Sequence, residues 1–225
     1  MTDSIASRLA AIQERVRAAA KAAGRAPEDV ILIAVSKRHS DTKVDAVIAS
    51  GHLHFGENLV QPWAERVQQY PSAHWHLIGP VQSKKAKQVW QHRPVLLHTV
   101  DRDKLVTALE RRQELEPGAP LPCLIEVNVE AEPQKAGVFP DALDALVDRV
   151  TASPALELRG LMCIPRPEPS GAPFARLREL AESVGDRLPE RYELSMGMSG
   201  DFELAIQEGA TLVRVGTAIF GARAY

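Results

Sequence analysis

The sequence predicts an α/β protein: a single (β/α)8 barrel preceded by an N-terminal helix. Three observations lead there. Short apolar runs alternate with helical patterns eight times over about 200 residues, as a closed barrel of parallel strands requires. The first run, Val30-Ile31-Leu32-Ile33-Ala34-Val35, is apolar at every position, the pattern of a strand covered on both faces. No linker, composition shift or low-complexity segment divides the 225 residues, so 1–225 reads as one domain. A doubly wound open sheet is the alternative that shares this alternation.

Taken in order, residues 5–22 place Ile5, Leu9, Ile12 and Val16 on one helical face. Thr2 to Ser4 can cap that helix, and Gly24 with Pro27 ends it, so 1–27 packs on the barrel as an amphipathic helix. Strand one spans 30–36 and a helix spans 41–50, closing on Gly51. His52 to Gly56 is a short strand, and 58–69 a helix with Pro62 in its first turn. Trp75 to Gly79 is strand three, followed by a lysine-rich helix at 82–91. Val95 to Val100 is strand four, with a helix at 102–115. Pro117, Gly118, Pro120 and Pro122 punctuate the loop before strand five, Cys123 to Val129. Helix 140–152 leads to strand six, Leu156 to Met162, then a Pro/Gly-rich loop at 165–173 and a helix at 174–187. Strand seven lies around Tyr192 to Ser195, a helix covers 200–208, and Thr211 to Val215 is strand eight.

Composition narrows the class. Hydrophobic content of 45% and charged content of 25% are those of a soluble globular protein. A net charge of −2 gives no bulk attraction to nucleic acid, and no apolar run is long enough to span a membrane. Cys123 and Cys163 both lie in apolar strand-like runs, which points to buried free thiols in a reducing compartment. The N-terminus lacks the apolar core of a secretory signal, so a cytoplasmic location is expected.

The chemistry-bearing residues collect at strand ends. Side chains alternate along a strand, so Ile31, Ile33, Val35 and Lys37 share one face and Lys37 stands at the carboxyl end of a buried strand. That end is where parallel α/β folds place their sites. After strand seven comes Ser195-Met196-Gly197-Met198-Ser199-Gly200-Asp201, in which Ser199 occupies a helix N-cap position. After strand eight comes Gly216-Thr217. Two glycine- and hydroxyl-bearing turns at these places form a phosphate cup. Leu212, Arg214 and Gly216 share a face, so Arg214 points inward just below the cup, where a guanidinium must find an acceptor. Each feature has a plainer counterpart: a solvated lysine with its stem on apolar surface, capped glycine turns, and a structural ion pair between Arg214 and Glu126. Together they fit a phosphate-bearing aldehyde held by a covalent imine, an anion site and a ring contact, which describes pyridoxal 5′-phosphate. A class I aldolase-like barrel would use the same lysine on a sugar-phosphate carbonyl without a cofactor. The pairs His52/His54 and His74/His76 raise metal binding, with Glu57 and Asp101 nearest in pattern, but a metallohydrolase leaves the phosphate cup unexplained and no metal is assigned. His76 is placed within reach of the ligand. Lys84, Lys85 and Lys87 read as a solvated helix face, and Trp63 and Trp90 as packing residues.

With these residues assembled, the chain resembles the pyridoxal phosphate homeostasis protein family almost end to end. The resemblance rests on Ala34-Val35-Ser36-Lys37, Phe55-Gly56-Glu57-Asn58, Trp75-His76-Leu77-Ile78-Gly79-Pro80 with Gln82-Ser83, Arg159-Gly160-Leu161-Met162, Ser195-Met196-Gly197-Met198-Ser199 and Val213-Arg214-Val215-Gly216-Thr217-Ala218-Ile219-Phe220-Gly221. It implies a barrel like the N-terminal domain of alanine racemase. It implies Lys37 as the lysine that forms the Schiff base, Ser199, Gly216 and Thr217 as phosphate ligands, Arg214 as partner of the pyridine nitrogen, and Asn58 and Met196 along the ring. The implied role is to sequester pyridoxal phosphate and deliver it to apo-enzymes without robust turnover; a racemase or decarboxylase using the same linkage is the alternative. A monomer or weak dimer is expected. Arg38-His39-Ser40 departs from the family, where a second lysine and a proline are common. Lys135 matches a family lysine and is a candidate second site.

Overall fold

The computed structural model describes residues 4–166 and 170–221. Eight parallel strands close into a barrel in chain order: β1 (Ile31–Val35), β2 (His54–Glu57), β3 (His74–Leu77), β4 (Leu97–Val100), β5 (Leu121–Glu126), β6 (Leu156–Met162), β7 (Glu193–Ser195) and β8 (Leu212–Val215). Closure is made by β1 pairing with β8, Ile31 opposite Leu212 and Ile33 opposite Arg214. The open-sheet alternative is thereby excluded. Around the sheet run α1 (Ile5–Ala22), α2 (Asp41–Ala49), α3 (Val60–Gln69), α4 (Ala86–His92), α5 (Asp103–Leu115), α6 (Leu143–Thr151), α7 (Ala172–Ser183), α8 (Phe202–Gln207) and α9 (Thr217–Phe220).

Helix α1 forms as its pattern predicts. Ser4 and Ser7 make a reciprocal capping box, and Leu9, Ile12, Val16, Ala19 and Ala20 bury one face. It packs on α2, α8 and α9, and Arg8 Nε donates to the Ile219 carbonyl at 2.8 Å. Gly24, at φ 69°, ends it in the left-handed conformation that glycine adopts without a Cβ penalty. Thr2, the other predicted cap, lies outside the described residues, as does part of the 165–173 loop.

Several boundaries differ from the sequence reading for local reasons. His52 precedes β2 and turns its Nε2 onto the His54 carbonyl at 2.9 Å. Strand β5 starts two residues earlier than expected and stops at Glu126, with Val127 forming only an isolated bridge to Val138. The lysine-rich segment begins as a 3-10 turn, Ser83–Lys85, before α4. Helix α9 has too few residues to show a helical period and was not expected.

Two cores result from strand alternation. Outward-facing residues pack against the helices in one large apolar shell that includes Phe55, Trp63, Trp75, Leu105 and Phe202. Inward-facing Ile33, Leu124, Met162 and Leu212, joined by Leu96 just before β4, form a small apolar plug inside the barrel. Among the described residues no helix is long and apolar enough to cross a membrane.

Candidate functional site

A cavity of about 450 Å³ opens at the carboxyl ends of the strands. Six of the eight strand ends contribute to its lining: Lys37 after β1, Asn58 after β2, Ile78 after β3, Ile164 after β6, Ser199 and Gly200 after β7, Gly216 and Thr217 after β8. Lys37 leaves β1 in the direction its alternation with Ile33 and Val35 sets. A turn then closes behind it, the His39 N–H bonding the Ser36 carbonyl at 3.0 Å, with Arg38 at φ 63°. The His39 ring stacks on Phe220 with centroids 4.9 Å apart. Next to this turn, Ser36 Oγ donates to Glu57 Oε1 at 2.7 Å. Burial pushes the Glu57 carboxyl up, against the opposing pull of Ser36, Arg66 and Lys37.

Arg214 is 4% exposed and lies on the floor of the cavity. Its Nη1 donates to Ser195 Oγ at 2.6 Å and its Nη2 to the Cys163 carbonyl at 2.8 Å. Both acceptors are neutral. The ion pair with Glu126 that the sequence left open is not formed: Glu126 Oε2 has no hydrogen-bond partner among the described residues, and the carboxyls of Glu126 and Asp201 act on the guanidinium only through space. Burial lowers the guanidinium's pKa from a value so high that it stays protonated. Glu126 itself is pushed up to about 7, chiefly by burial and by nearby Asp101, with Arg214 opposing.

The turns after β7 and β8 are built for close approach. A Cβ on Gly216 would stand 3.2 Å from the Val35 carbonyl oxygen, so the backbone there hugs β1. At the start of α9 the Thr217 and Ala218 N–H groups have no intrahelical acceptor, while those of Ile219 and Phe220 bond the Gly216 carbonyl. Ser199 lines the cavity and is not the cap of α8; Asp201 holds that position and accepts from the Met198 N–H at 2.6 Å. Across the mouth, Asn58 Oδ1 is buried without a partner among the described residues. Asn58 reaches this place because Gly79 has no side chain: a Cβ there would fall 2.1 Å from the Asn58 carbonyl oxygen.

The structure brings Lys37, Asn58, Ser199, Arg214, Gly216 and Thr217 to one cavity. It does not bring Met196 or His76. Ser195 faces into the barrel, so its neighbour Met196 points outward and is fully buried in the shell. His76 faces inward but one step too deep; Ile78, two residues on, is the β3 side that lines the cavity. His39, Ile164 and Met198 line it unforeseen. Alternation carried past Lys37 and past inward-facing Met162 indicates His39 and Ile164; Met198 has the outward parity of Met196, and only the turn after β7 brings it to the cavity. Lys135 is not a lining residue: it pairs with Glu132 at 2.5 Å and Glu130 at 3.3 Å in the loop after β5. The histidines of the two pairs do not converge on a common point: His54 bonds His76 ring to ring, His76 bonds His98, and His52 turns onto the His54 carbonyl. No cluster of three or more metal-ligating side chains occurs among the described residues.

The chain that carries this arrangement is similar to known proteins along nearly its whole length. Residues 7–224 match the family of the alanine racemase N-terminal domain. The chain is 43% identical over 230 residues to the pyridoxal phosphate homeostasis protein of Pseudomonas aeruginosa, covering 99% of this chain and 97% of that one. It is 39% identical over 235 residues to the protein of the same name from Escherichia coli, covering 99% and 98%. Among solved structures, PipY of Synechococcus elongatus, determined with PLP bound, superposes with a TM-score of 0.81 at 34% identity, covering 97% of this chain and 100% of PipY. The chain belongs to the pyridoxal phosphate homeostasis protein family, built on the barrel of the alanine racemase N-terminal domain.

Proposed function

We propose that the protein binds pyridoxal 5′-phosphate at this cavity, through Lys37, and serves vitamin B6 homeostasis by holding the cofactor and handing it on. The observation that carries the reading is the shared wall: Lys37, a buried donor-only Arg214 and the turns bearing Ser199, Gly216 and Thr217 line one cavity. The names of its relatives and the PLP-bound PipY structure support it. Bound pyridoxal phosphate supplies an aldehyde that condenses with a primary amine. Lys37 is the amine in this cavity, at the end of an apolar strand. Ser199 and the backbone of Gly216 and Thr217 bind phosphate. Arg214 donates to the ring nitrogen. Asn58, whose Oδ1 has no partner among the described residues, lines the ring.

The same residues account for storage without turnover. A guanidinium donates hydrogen bonds but is too weak an acid to transfer a proton, so Arg214 would leave the ring nitrogen unprotonated and the ring a weak electron sink. In this reading the protein sequesters a reactive aldehyde and delivers it to apo-enzymes, and we place it in the cytoplasm as a monomer or weak dimer. Absorbance titration of the purified protein with pyridoxal phosphate tests this. Wild type develops a visible band that Lys37→Ala lacks, while Arg214→Met keeps the band and binds more weakly. A band of equal size in Lys37→Ala would contradict the reading. Multiple turnover of amino acids by the loaded protein would move it to the racemase or decarboxylase class.

A further inference from the structure

Inside the barrel, below the cavity, four polar side chains from four strands continue inward from Arg214. Ser195 Oγ on β7 lies 2.8 Å from His98 Nδ1 on β4. His98 Nε2 lies 3.0 Å from His76 Nδ1 on β3, and His76 Nε2 lies 3.1 Å from His54 Nδ1 on β2. His76 and His98 are buried, whereas His54, the first residue of β2, is half-buried beside exposed His74. The chain thus runs from the cavity floor to the opposite, amino-terminal end of the barrel. None of its four links is used by the proposed function.

Its direction follows from one fact. Arg214 has protons to give and no lone pair to offer, so Ser195 Oγ accepts from it. Were His98 also to donate to that oxygen, the buried hydroxyl proton would be left without an acceptor, at a cost of about 1–3 kcal/mol. The hydroxyl therefore donates to His98 Nδ1. A neutral imidazole that accepts at Nδ1 carries its proton on Nε2, so His98 donates to His76, and His76 in turn to His54.

We propose that Ser195, His98, His76 and His54 are positioning residues for Arg214: one hydrogen-bonded chain, polarised outward from the guanidinium, with all three rings in the Nε2–H form. The chain gives a buried cation an oriented acceptor without a carboxylate, so the guanidinium keeps its charge for the cavity. The surroundings agree. His54 is faced by His52, His74 and His76, and burial with the first two holds it down to about 4. His76 is held down to about 3 by burial, His54 and His74. His98, between His76 and Arg214, lies well below the ordinary value, chiefly through burial. Arg214 is faced by Cys163, Glu126 and Asp201 as well as by the chain. All three rings are neutral at pH 7.

The consequence for binding rests on the ring contact proposed for Arg214; the direction of the chain does not. Long-range 15N–1H spectra of the ligand-free protein at pH 7, with the seven histidines assigned by single His→Gln variants, test the direction. His54, His76 and His98 are expected as Nε2–H tautomers. An Nδ1–H tautomer or an imidazolium at any of them overturns the proposal. Ser195→Ala removes the hydroxyl that orients the chain, so the tautomers of His98, His76 and His54 should mix together. A change confined to His98 would show that the rings are not one unit and overturn it. Ser195→Ala should also weaken pyridoxal phosphate binding about tenfold, in line with one hydrogen bond to a charged group, with inorganic phosphate binding unchanged. Equal pyridoxal phosphate affinity in that variant would remove the positioning role, while the reading of Lys37 stands or falls on its own titration.

Discussion

The shell between sheet and helices and the interior of the barrel are filled by opposite chemistry, although the same strands supply both. The shell is apolar throughout, with Trp63, Trp75 and Phe202 fully or almost fully buried. The interior is split: Ile33, Leu96, Leu124, Met162 and Leu212 fill one part, while His54, His76, His98, Ser195, Glu126 and Arg214 occupy the rest. A polar interior is a costly way to fill a barrel, because each group must be satisfied or stay neutral. It is retained where the interior has to address a ligand. The shell holds the fold, and the interior tunes what sits in the mouth.

Substitutions on the two sides should separate stability from binding. The largest effect is expected in the shell. Trp63→Ala, at a fully buried side chain, should cost about 3–5 kcal/mol in denaturant unfolding, with little change in the pyridoxal phosphate affinity of the molecules that remain folded. A matching loss of affinity would blur the distinction.

Next comes the pH dependence of the interior. Glu126 is held up to about 7, above its ordinary 4.5, so the folded protein keeps a proton that the unfolded chain releases across that range. Its contribution therefore makes stability fall as pH rises from 4.5 through 7, by on the order of 2–3 kcal/mol. Glu126→Gln should match wild type near pH 4.5 and exceed it at pH 8 by about that amount. Unfolding curves at the two pH values read this directly, and parallel profiles would place the group in water.

Arg214→Met removes a buried cation and one ligand contact. Binding of pyridoxal phosphate should weaken by about 10- to 100-fold, the value of a hydrogen bond to a charged group. Stability should shift by less than about 2 kcal/mol, because the relieved desolvation offsets the lost bonds. At the mouth, Ser199→Ala should weaken binding about fivefold, one neutral hydrogen bond. Gly216→Ala should have the smallest effect. Its added Cβ meets the Val35 carbonyl oxygen at 3.2 Å, so the turn shifts by a few tenths of an ångström and binding falls by less than Ser199→Ala produces.

How much of this was legible in the sequence follows the same division. The shell announces itself as apolar runs and helical faces, so the barrel, its strand order and α1 could be read from Val30 to Val35 and from Leu9, Ile12 and Val16. Inward direction was legible where a strand is long enough to show its alternation. Lys37 and Arg214 were placed on that basis, and both line the cavity. Strand β7 has three residues, too few to tell which of Ser195 and Met196 faces in; Met196, put along the ring only by the family resemblance, points into the outer shell. His76 was placed within reach of the ligand but lies inward below the cavity, since depth depends on how β3 is staggered against β2 and β4. The chain from Arg214 to His54 joins residues on β8, β7, β4, β3 and β2. Only barrel closure brings Ser195 on β7 across the interior to His98 on β4.

The most direct test of the account is hydride reduction of the protein loaded with pyridoxal phosphate, followed by peptide mapping. The label should fall on Lys37 alone at stoichiometric ligand, with the peptide carrying Lys135 unmodified. A label spread over surface lysines, or one that persists at full yield in Lys37→Ala, would contradict it.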